Sequence, residues 1–393
     1  MAKEKNINTK SKHVEVESNV GRDELAVTLH NALNKSSKDG TKSAYWVDDD
    51  DNPSIIRDWV STGSTLLDLA ISNRPHGGLP VGRVAELSGL EGTGKSLMCA
   101  HIIRETEKKG GLSVFFDSES AIDRNFWVAL GVNIKNTNYC PFTTLEDLFK
   151  KVELCIGEFR KSSHDRLLTI FIDSVAQATI EKELEAEHGI DGYNTGKSLI
   201  LGKAFRKITG IISRERILVV FTNQLRFNMN SGPFGDKWTT PGGKSLSYTA
   251  STRVRLGTIG KLKKNNEVIG VKCTCAVIKS RMGPGARGAQ FEIHYDSGIQ
   301  DLASWLNFSK ERGIITGTAA KYSWKRTNGE TMEFNTAKFV ELMNSDKDLK
   351  EEFYQVICDN YIMHYRDPNS KIVEDVEEVS DETPPETESN SDE

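Results

Sequence analysis

The sequence predicts an α/β fold: a core with a mainly parallel, twisted sheet flanked by helices, followed by a small α/β unit near the C-terminal end. From Arg83 onward, short β-rich runs alternate with helical stretches, a pattern typical of a parallel sheet covered by helices. Later β-rich runs have no long helix between them, which indicates antiparallel strands added to that sheet. A chain of 393 residues, 37% hydrophobic and 27% charged, is long enough for about two to three domains with a sizeable buried core.

The predicted elements follow in chain order. Candidate core strands lie at residues 84–88, 113–117, 168–173 and 217–222, and candidate helices at 96–109, 124–130, 145–160 and 198–213. The later, antiparallel runs lie at residues 252–257, 268–279 and 289–295. In the C-terminal unit, Asn328-Gly329 predicts a hairpin turn between two short strands, and helices are expected at 336–344 and 349–365.

Four regions are predicted along the chain. They are an N-terminal tail, helix and linker (1–60), the α/β core (61–303), the small C-terminal domain (304–367) and an acidic tail without structure (368–393). Within the first region, apolar spacing predicts an amphipathic helix at 22–34. Four successive acids at 48–51 lack the spacing of a calcium-binding EF-hand, so this stretch is interpreted as a solvated loop.

Charge is distributed unevenly. The formal net charge is −5, but residues 374–393 hold ten carboxylates and no Lys or Arg, so subtracting −10 from −5 leaves about +5 for residues 1–373. A mildly basic body with an acidic tail favours a polyanionic partner. A solvated tail that only aids solubility is the alternative, and composition does not decide between the two.

Several classes of protein are disfavoured. No apolar run approaches the roughly 20 residues that span a bilayer, and the polar start lacks the apolar core of a secretion signal. The six cysteines are scattered and show no CxxC spacing, which argues against a disulfide framework or a zinc site. A cytoplasmic protein with reduced thiols is therefore expected.

One motif carries a specific chemistry. Residues 89–96 fit the phosphate-binding P-loop pattern G-x-x-x-x-G-K-[ST], between an apolar strand and a helix, where that motif works. The residues are Gly89, Leu90, Glu91, Gly92, Thr93, Gly94, Lys95 and Ser96. Glycines let backbone N–H groups surround a phosphate at the helix N-terminus. Lys95 is expected to reach the β- and γ-phosphates of ATP, and the Ser96 hydroxyl to hold Mg²⁺.

Two carboxylates complete the predicted nucleotide site. The apolar run 168–173 ends in Asp173, a Walker B pattern that becomes a strong magnesium-binding signal when paired with a P-loop. Glu119 follows the strand after the P-loop helix, at the sheet edge where ligands bind in open α/β folds. Glu119 is the candidate base that orients the attacking water, and a surface salt bridge is the alternative for it.

A third strand leads from the nucleotide site into a long loop. Asn223-Gln224 closes that strand, and the Gln224 amide can report whether a γ-phosphate is present. Residues 225–243 then form a loop rich in Gly, Asn and Pro, too long to be an ordinary connection. Its cations and aromatics, Arg226, Phe234, Lys237 and Trp238, suit contact with single-stranded nucleic acid. A plain active-site lid is the alternative.

In their order along the chain, these motifs resemble the RecA-type homologous recombinases of bacteria and phages. The matching stretches are Ser61-Thr62-Gly63-Ser64, Leu67-Asp68, Gly77-Gly78-Leu79-Pro80-Val81-Gly82-Arg83, Asp173-Ser174-Val175-Ala176, Asn223-Gln224-Leu225-Arg226, Phe234-Gly235 and Thr239-Thr240-Pro241-Gly242-Gly243. The resemblance covers residues 61–302 and extends to the C-terminal unit. It implies a RecA-like P-loop NTPase core, with ATP and Mg²⁺ as cofactors.

The resemblance also implies residue roles. Glu119 would activate water, Gln224 would couple the γ-phosphate to the following loop, and Asp123 and Phe126 would contact adenine. DNA would contact a first loop at about 185–196 and a second at about 226–243. For the second, the candidates are Arg226, Phe234, Lys237, Trp238, Gly242, Gly243 and Lys244.

Other implied roles concern assembly. Lys279 and Arg281 stand where the family places two cations that reach a neighbouring subunit's ATP, and Tyr248 stands at a position of subunit contact. Residues 1–60 would also serve subunit contact, and the acidic tail would restrain access to DNA. Arg281 replaces the usual Lys, and the first loop differs from its usual form. These departures favour a divergent or phage-encoded member, acting then in the host cytoplasm.

The leading hypothesis is a DNA-dependent ATPase that forms ATP-dependent helical filaments on single-stranded DNA. It would pair that strand with homologous duplex DNA and exchange strands in recombination, DNA repair and the SOS response to DNA damage. Single-strand-binding and mediator proteins would be further partners. The alternatives are a ring-forming helicase on the same core and an ATP switch in which the loop 225–243 binds protein.

Overall fold

The computed structural model describes residues 21–36, 42–120, 122–162, 165–185, 193–228 and 236–365. Its backbone contacts divide the chain into two compact units, Met1–Ile55 and Ile56–Glu393. The predicted acidic tail and most of the predicted first DNA loop lie outside the described residues, as does Phe234. The four predicted regions therefore stay a prediction.

The described part of the chain contains helices and strands that are numbered here in chain order. The helices are α1 (Glu24–Lys35), α2 (Thr65–Ser72), α3 (Lys95–Lys108), α4 (Arg124–Ala129), α5 (Leu145–Ser162), α6 (Glu181–Glu185), α7 (Tyr193–Ile212), α8 (Gly243–Thr249), α9 (Asp301–Glu311), α10 (Thr336–Ser345) and α11 (Lys347–Tyr361). The strands are β1 (Trp59–Val60), β2 (Leu79–Pro80), β3 (Val84–Gly89), β4 (Leu112–Asp117), β5 (Thr137–Pro141), β6 (Leu168–Asp173), β7 (Ile217–Gln224), β8 (Arg226–Phe227), β9 (Trp238–Thr239), β10 (Thr252–Lys264), β11 (Glu267–Ser280), β12 (Arg287–His294), β13 (Gly298–Ile299), β14 (Ile315–Thr318), β15 (Lys321–Lys325) and β16 (Thr331–Phe334).

The first unit is built around α1. Asp23 caps this helix, because its carboxylate accepts hydrogen bonds from the backbone N–H groups of Leu25 and Ala26. None of the residues of α1 is buried, and its leucines are more than half exposed. In the acidic run 48–51, Asp48 forms a salt bridge with Arg22, and Asp49 and Asp51 form salt bridges with Lys42. The predicted solvated loop therefore also contains local ion pairs.

The second unit contains a nine-stranded sheet in the order β13-β12-β11-β10-β3-β7-β6-β4-β5. From β10 to β5 all neighbouring strands are parallel, while β11, β12 and β13 are added antiparallel. The predicted α/β fold with a mainly parallel sheet is thus confirmed. Because parallel strands share a direction, the carboxyl ends of β3, β4, β6 and β7 meet at one edge.

Two apolar clusters cover the two faces of this sheet. Successive side chains of a strand point to opposite faces, so Phe171 of β6 lies in one cluster while Ile170 and Ile172 lie in the other. The first cluster includes α3, and the second includes α5 and α7. Burial on both faces explains why β6 is mainly apolar up to its end at Asp173; its other polar residue, Thr169, is buried and hydrogen-bonded to Thr106 of α3.

The small C-terminal unit shares the first apolar cluster with the core. Trp324 of β15 and Phe353 of α11 are fully buried, with ring centroids 4.8 Å apart. The predicted turn between β15 and β16 is present, and Gly329 there has φ 89°, a conformation that favours glycine. Among the described residues no helix is long and apolar enough to cross a membrane.

Three features differ from the prediction. The edge strand β5 was not expected, since its side chains are largely exposed and carry no apolar alternation. Among the described residues, the helices α2, α6 and α9 and the short strands β1, β2, β13 and β14 were also not anticipated. The prediction of a loop without secondary structure at 225–243 is wrong at its two ends, because β8 pairs with β9 and α8 begins at Gly243.

Candidate functional site

The P-loop forms a tight turn between β3 and α3. Gly92 and Gly94 have φ values of 70° and 89°, which side chains with a Cβ rarely adopt. A Cβ at Gly89 would lie 2.4 Å from Thr93 Oγ1, so this position also requires glycine. The turn leaves the N-terminus of the 14-residue helix α3 facing the loop, where its N–H groups can bind an anion.

Lys95 lies within this turn. Its Nζ donates hydrogen bonds to the carbonyl oxygens of Leu90 at 2.8 Å and Gly89 at 3.2 Å. Burial lowers the pKa of Lys95, and the negative charges of Asp173 and Glu119 act in the opposite direction. The ammonium group is therefore held at the loop and close to the predicted carboxylates.

Asp173 joins two strands and the P-loop helix. Its Oδ2 accepts a hydrogen bond from Ser96 Oγ at 2.6 Å, and its Oδ1 accepts one from Thr222 Oγ1 at 2.5 Å. Asp173 is 8% exposed, so its position is fixed by these partners. A hydroxyl oxygen beside a carboxylate is a pair of hard oxygen ligands, and the predicted residues Ser96 and Asp173 therefore fit a magnesium ion.

Glu119 follows β4 at the same edge. Its backbone N–H donates to Asp117 Oδ1 at 2.8 Å, and the other oxygen of Asp117 accepts a hydrogen bond from the Tyr139 hydroxyl at 3.2 Å. Burial and the charges of Asp173 and Asp117 raise the pKa of Glu119 above its usual value. Glu119 thus lies among carboxylates that interact with Lys95, and its role as the base stays a prediction.

The end of β7 connects the P-loop to the long loop. Gln224 Nε2 donates to Glu91 Oε1 at 2.8 Å, which joins the predicted sensor directly to the P-loop. The side chain of Asn223 points elsewhere: its Nδ2 donates to Glu86 Oε1 and to the carbonyl oxygen of Pro241, both at 3.0 Å. The neighbouring amides of Gln224 and Asn223 therefore contact different parts of the site, the P-loop and the C-terminal end of the long loop.

The predicted adenine contacts have other roles in the described structure. Asp123 caps α4, where its Oδ1 accepts hydrogen bonds from the backbone N–H groups of Asn125 and Phe126. The Phe126 side chain is partly buried against the first apolar cluster. Their contact with a base stays a prediction.

The predicted DNA loop begins and ends on a short ribbon. Arg226 pairs with Thr239 and Phe227 with Trp238 in the antiparallel strands β8 and β9. The rings of Phe227 and Trp238 meet edge to face with centroids 6.0 Å apart, and Phe227 is 59% exposed. Lys237 lies on this ribbon, since its carbonyl accepts the N–H of Asn228 at 2.8 Å.

The C-terminal end of this loop enters a helix. Gly242 is the N-cap of α8 with φ 97°, and Gly243 and Lys244 are its first residues. The side chain of Lys244 lies outside the described part of the chain. The DNA contacts of these three residues are therefore not tested by the structure.

Two cations lie at the other end of α8. Lys279 Nζ donates to the carbonyl oxygens of Ser247 at 2.8 Å and Tyr248 at 3.1 Å, and Arg281 Nη2 donates to that of Tyr248 at 3.0 Å. These positive charges suit the negative end of a helix dipole. Burial and the nearby charge of Arg281 lower the pKa of Lys279. Tyr248 is 69% exposed, and its predicted role in subunit contact stays a prediction.

Sequence reasoning missed several residues that hold the site in place. They are Glu86, Asp117, Tyr139, Phe227 and Arg253. A charged residue inside the apolar strand β3 is the signal that could have revealed Glu86, because such a side chain needs a partner when it is buried. The aromatic ring next to Arg226 was a similar signal for Phe227.

A phosphate cradle with a hydroxyl–carboxylate pair, at the carboxyl edge of a parallel sheet, is the arrangement of the P-loop nucleoside triphosphatases. The family model for the RecA N-terminal domain matches residues 27–300 of this chain. The chain is 35% identical over 271 residues to protein RecA of Thioalkalivibrio sulfidiphilus, covering 69% of this chain and 75% of that protein. Protein RecA of Heliobacterium modesticaldum is 32% identical over 297 residues, covering 76% of this chain and 83% of that protein.

The chain therefore belongs to the RecA family. It is a recombinase and a DNA-dependent ATPase, which binds DNA, self-associates into filaments and exchanges strands in recombination and DNA repair. The match to the family model ends close to where the antiparallel strands of the large sheet end.

Proposed function

We propose that this recombinase hydrolyses ATP at the carboxyl edge of its parallel sheet, with Glu119 as the base and the loop after Gln224 as the DNA-binding surface. The observation that carries the proposal is the meeting of three strand ends. Lys95 lies near both Glu119 and Asp173, and Gln224 contacts the same P-loop through Glu91.

Each residue at this edge has a chemical task. Lys95 and the N–H groups of α3 bind the phosphates, and Ser96 with Asp173 would hold Mg²⁺. That ion supplies neutralisation of phosphate charge when bound. Glu119 accepts the proton of the attacking water, which its raised pKa makes easier than for an ordinary carboxylate. Asp123 and Phe126 are assigned to adenine.

Assembly completes the site. Lys279 and Arg281 are assigned to the neighbouring subunit's ATP, where they stabilise negative charge that develops during hydrolysis. In the isolated chain both cations bind carbonyl oxygens of α8 instead, so those hydrogen bonds must be exchanged on assembly. Tyr248, exposed beside them, is assigned to the same interface.

The DNA-binding surface is the ribbon and loop between β7 and α8. Arg226, Lys237 and Lys244 supply charge for the phosphate backbone, and Phe234 and Trp238 supply rings for base stacking. Gly242 and Gly243 allow the backbone to approach the strand closely. Single-stranded DNA and homologous duplex are the substrates, and single-strand-binding and mediator proteins are the proposed partners. The cytoplasm is the proposed location, since ATP and DNA meet there.

The test is the variant Glu119→Gln. Loss of the base should lower the rate of DNA-stimulated ATP hydrolysis by about 10²- to 10⁴-fold. ATP-dependent filaments on single-stranded DNA should still form, since no phosphate-binding group is removed. The measurements are ATPase assays and electron microscopy, and Glu158→Gln, an exposed residue that pairs with Lys161, is the matched control.

Two results would overturn this assignment. Turnover in Glu119→Gln close to that of the unmodified chain would remove Glu119 from the chemistry. Closed rings on single-stranded DNA, with no joint molecules between single strands and duplex, would favour the ring-helicase alternative.

A further inference from the structure

A buried carboxylate lies between the strand that carries the sensor and the strand that carries Arg253. Glu86 is in the middle of β3, and its side chain is fully buried. Its two neighbours in the sheet are β7 and β10. Glu86 Oε1 accepts a hydrogen bond from Asn223 of β7 at 3.0 Å, and Oε2 is paired with the guanidinium of Arg253 of β10.

The partners of Glu86 reach the far end of the DNA loop. Asn223 Nδ2 also donates to the carbonyl oxygen of Pro241 at 3.0 Å. Arg253 Nη2 lies 3.5 Å from Thr240 Oγ1, at the outer limit of a hydrogen bond. Thr240 and Pro241 directly precede α8, so Glu86 holds the point where the loop returns to the core.

The same strand end faces the nucleotide. Asn223 Oδ1 accepts the backbone N–H of Gln224 at 3.0 Å, while the Gln224 side chain is bonded to Glu91 of the P-loop. A shift of the Gln224 backbone therefore acts on Asn223, and through Asn223 on Pro241. A buried charge is costly unless its partners are kept, which makes this a fixed connection that cannot easily rearrange.

We propose that Glu86 is a positioning residue that, with Asn223 and Arg253, clamps the C-terminal end of the DNA loop to the strand that carries Gln224. The proposal rests on the proposed function in taking residues 225–243 as the DNA-binding loop. In this arrangement the loop is attached at both ends to the nucleotide edge: directly through β7, and through the clamp at Pro241. DNA that binds the loop then acts on Gln224 from both sides, and hydrolysis is stimulated.

The clamp is separate from the DNA-contacting residues. Glu86 and Asn223 are fully buried, so neither can contact a DNA strand. The clamp should therefore change how DNA binding is transmitted to hydrolysis, and leave DNA affinity and hydrolysis without DNA largely as they are. Replacing a residue that only stabilises the fold would instead lower DNA affinity and hydrolysis with and without DNA together.

The test is the exchange Glu86→Gln/Asn223→Asp in the full chain. The Gln side chain can donate to the new carboxylate, and the network keeps one negative charge for Arg253. The new Asp has no donor for the Pro241 carbonyl, so the link to the loop is lost. The Gln oxygen still accepts a hydrogen bond from Arg253, although the direct ion pair at this position becomes a neutral contact. Melting temperature, ATPase rate with and without single-stranded DNA, and DNA affinity with a slowly hydrolysed ATP analogue are measured.

The expected result is a folded protein whose ATPase rate without DNA and whose DNA affinity lie within about threefold of the unmodified chain. Stimulation of hydrolysis by DNA should fall by about tenfold or more, a coupling loss within the usual range. Stimulation within about twofold of the unmodified chain would overturn the proposal. So would a loss of DNA affinity as large as that of Arg226→Ala/Lys237→Ala/Lys244→Ala.

A second variant covers the case in which the exchange lowers the yield of folded protein. Asn223→Ser keeps Glu86 paired with Arg253 and is too short to reach both Glu86 and Pro241, and it is judged by the same outcomes. Failure of the proposed function is recognised differently. In that case the unmodified chain would show no DNA stimulation, or the triple cation variant would bind single-stranded DNA as tightly as the unmodified chain.

Discussion

The nucleotide edge and the DNA loop of this protein are held in place in different ways. At the nucleotide edge, Asp173 is 8% exposed and accepts hydrogen bonds from the hydroxyls of Ser96 and Thr222. On the loop, Phe227 is 59% exposed and contacts Trp238 on a ribbon of two-residue strands. The first region is prearranged by buried partners, whereas the second presents exposed side chains.

The physical origin of this difference is the depth of each element. Every residue of β6 is buried, so its final carboxylate is fixed by the sheet on both sides. The strands β8 and β9 are exposed or only partly buried. They pair with each other in a separate two-stranded sheet and not with the large sheet. Changes at the nucleotide edge should therefore stop chemistry, and changes on the loop should weaken binding in a graded way.

After loss of the base in Glu119→Gln, the next largest effect is expected for Asp173→Asn. The change removes the negative charge beside Ser96, and an amide is a poorer magnesium ligand than a carboxylate. A loss of about 3–4 kcal/mol of transition-state stabilisation corresponds to a turnover about 10²- to 10³-fold slower. The measurement is DNA-stimulated ATPase, with exposed Asp165→Asn near the opposite end of β6 as control. Equal rates in the two variants would show that this edge is not the prearranged site.

A smaller, graded effect is expected for Arg226→Ala/Lys237→Ala/Lys244→Ala. Each lost phosphate contact should make the plot of log affinity against log salt shallower by about 0.7, so about 2 for three contacts. ATP binding should be unchanged. The control Lys261→Ala/Lys263→Ala/Lys264→Ala removes the same charge from the exposed end of β10. If the plot of log affinity against log salt becomes shallower by the same amount in both variants, the assignment of the loop to DNA binding fails.

The same contrast explains what could be predicted from the sequence. The strand–helix alternation follows from a local pattern and is confirmed in the fold. The P-loop and Asp173 follow from local patterns of the same kind, and their roles stay predictions. Glu86 and Arg253 were missed because their partnership joins residues 167 positions apart and depends on the order of the strands in the sheet. Asp123 was assigned to adenine by resemblance, whereas an Asp directly before a predicted helix is itself the signal of an N-cap.

A change of pH dependence is expected for Asp117→Asn. The charge of Asp117, with burial and Asp173, raises the pKa of Glu119, and a base is active only when deprotonated. The acid limb of the kcat/KM profile therefore lies at higher pH than for an ordinary glutamate, and removing this charge should move it to lower pH. The Asn side chain keeps an oxygen for the Glu119 N–H.

Tyr139→Phe serves as the control for this change. It removes the hydroxyl that donates to Asp117 and keeps the carboxylate charge. The acid limb of the kcat/KM profile should therefore stay near its original pH. An acid limb that does not move in Asp117→Asn would mean that Glu119 is not the titrating base, and the nucleotide edge would lose its assigned chemistry.

The smallest effect is expected for the acidic tail, whose negative charge is opposite to that of the cations on the DNA loop. Residues 374–393 carry ten carboxylates, and residues 1–373 carry about +5. We expect these carboxylates to compete with DNA phosphates for the same cations, and Mg²⁺ or salt to weaken that competition. Truncation after Lys371 should therefore increase binding of duplex DNA by a few-fold, most at low Mg²⁺. A tail of equal length with every carboxylate replaced by its amide should bind like the truncated chain, because charge and not length is responsible. Binding identical to that of the full-length chain in both variants would leave the tail with solubility as its role.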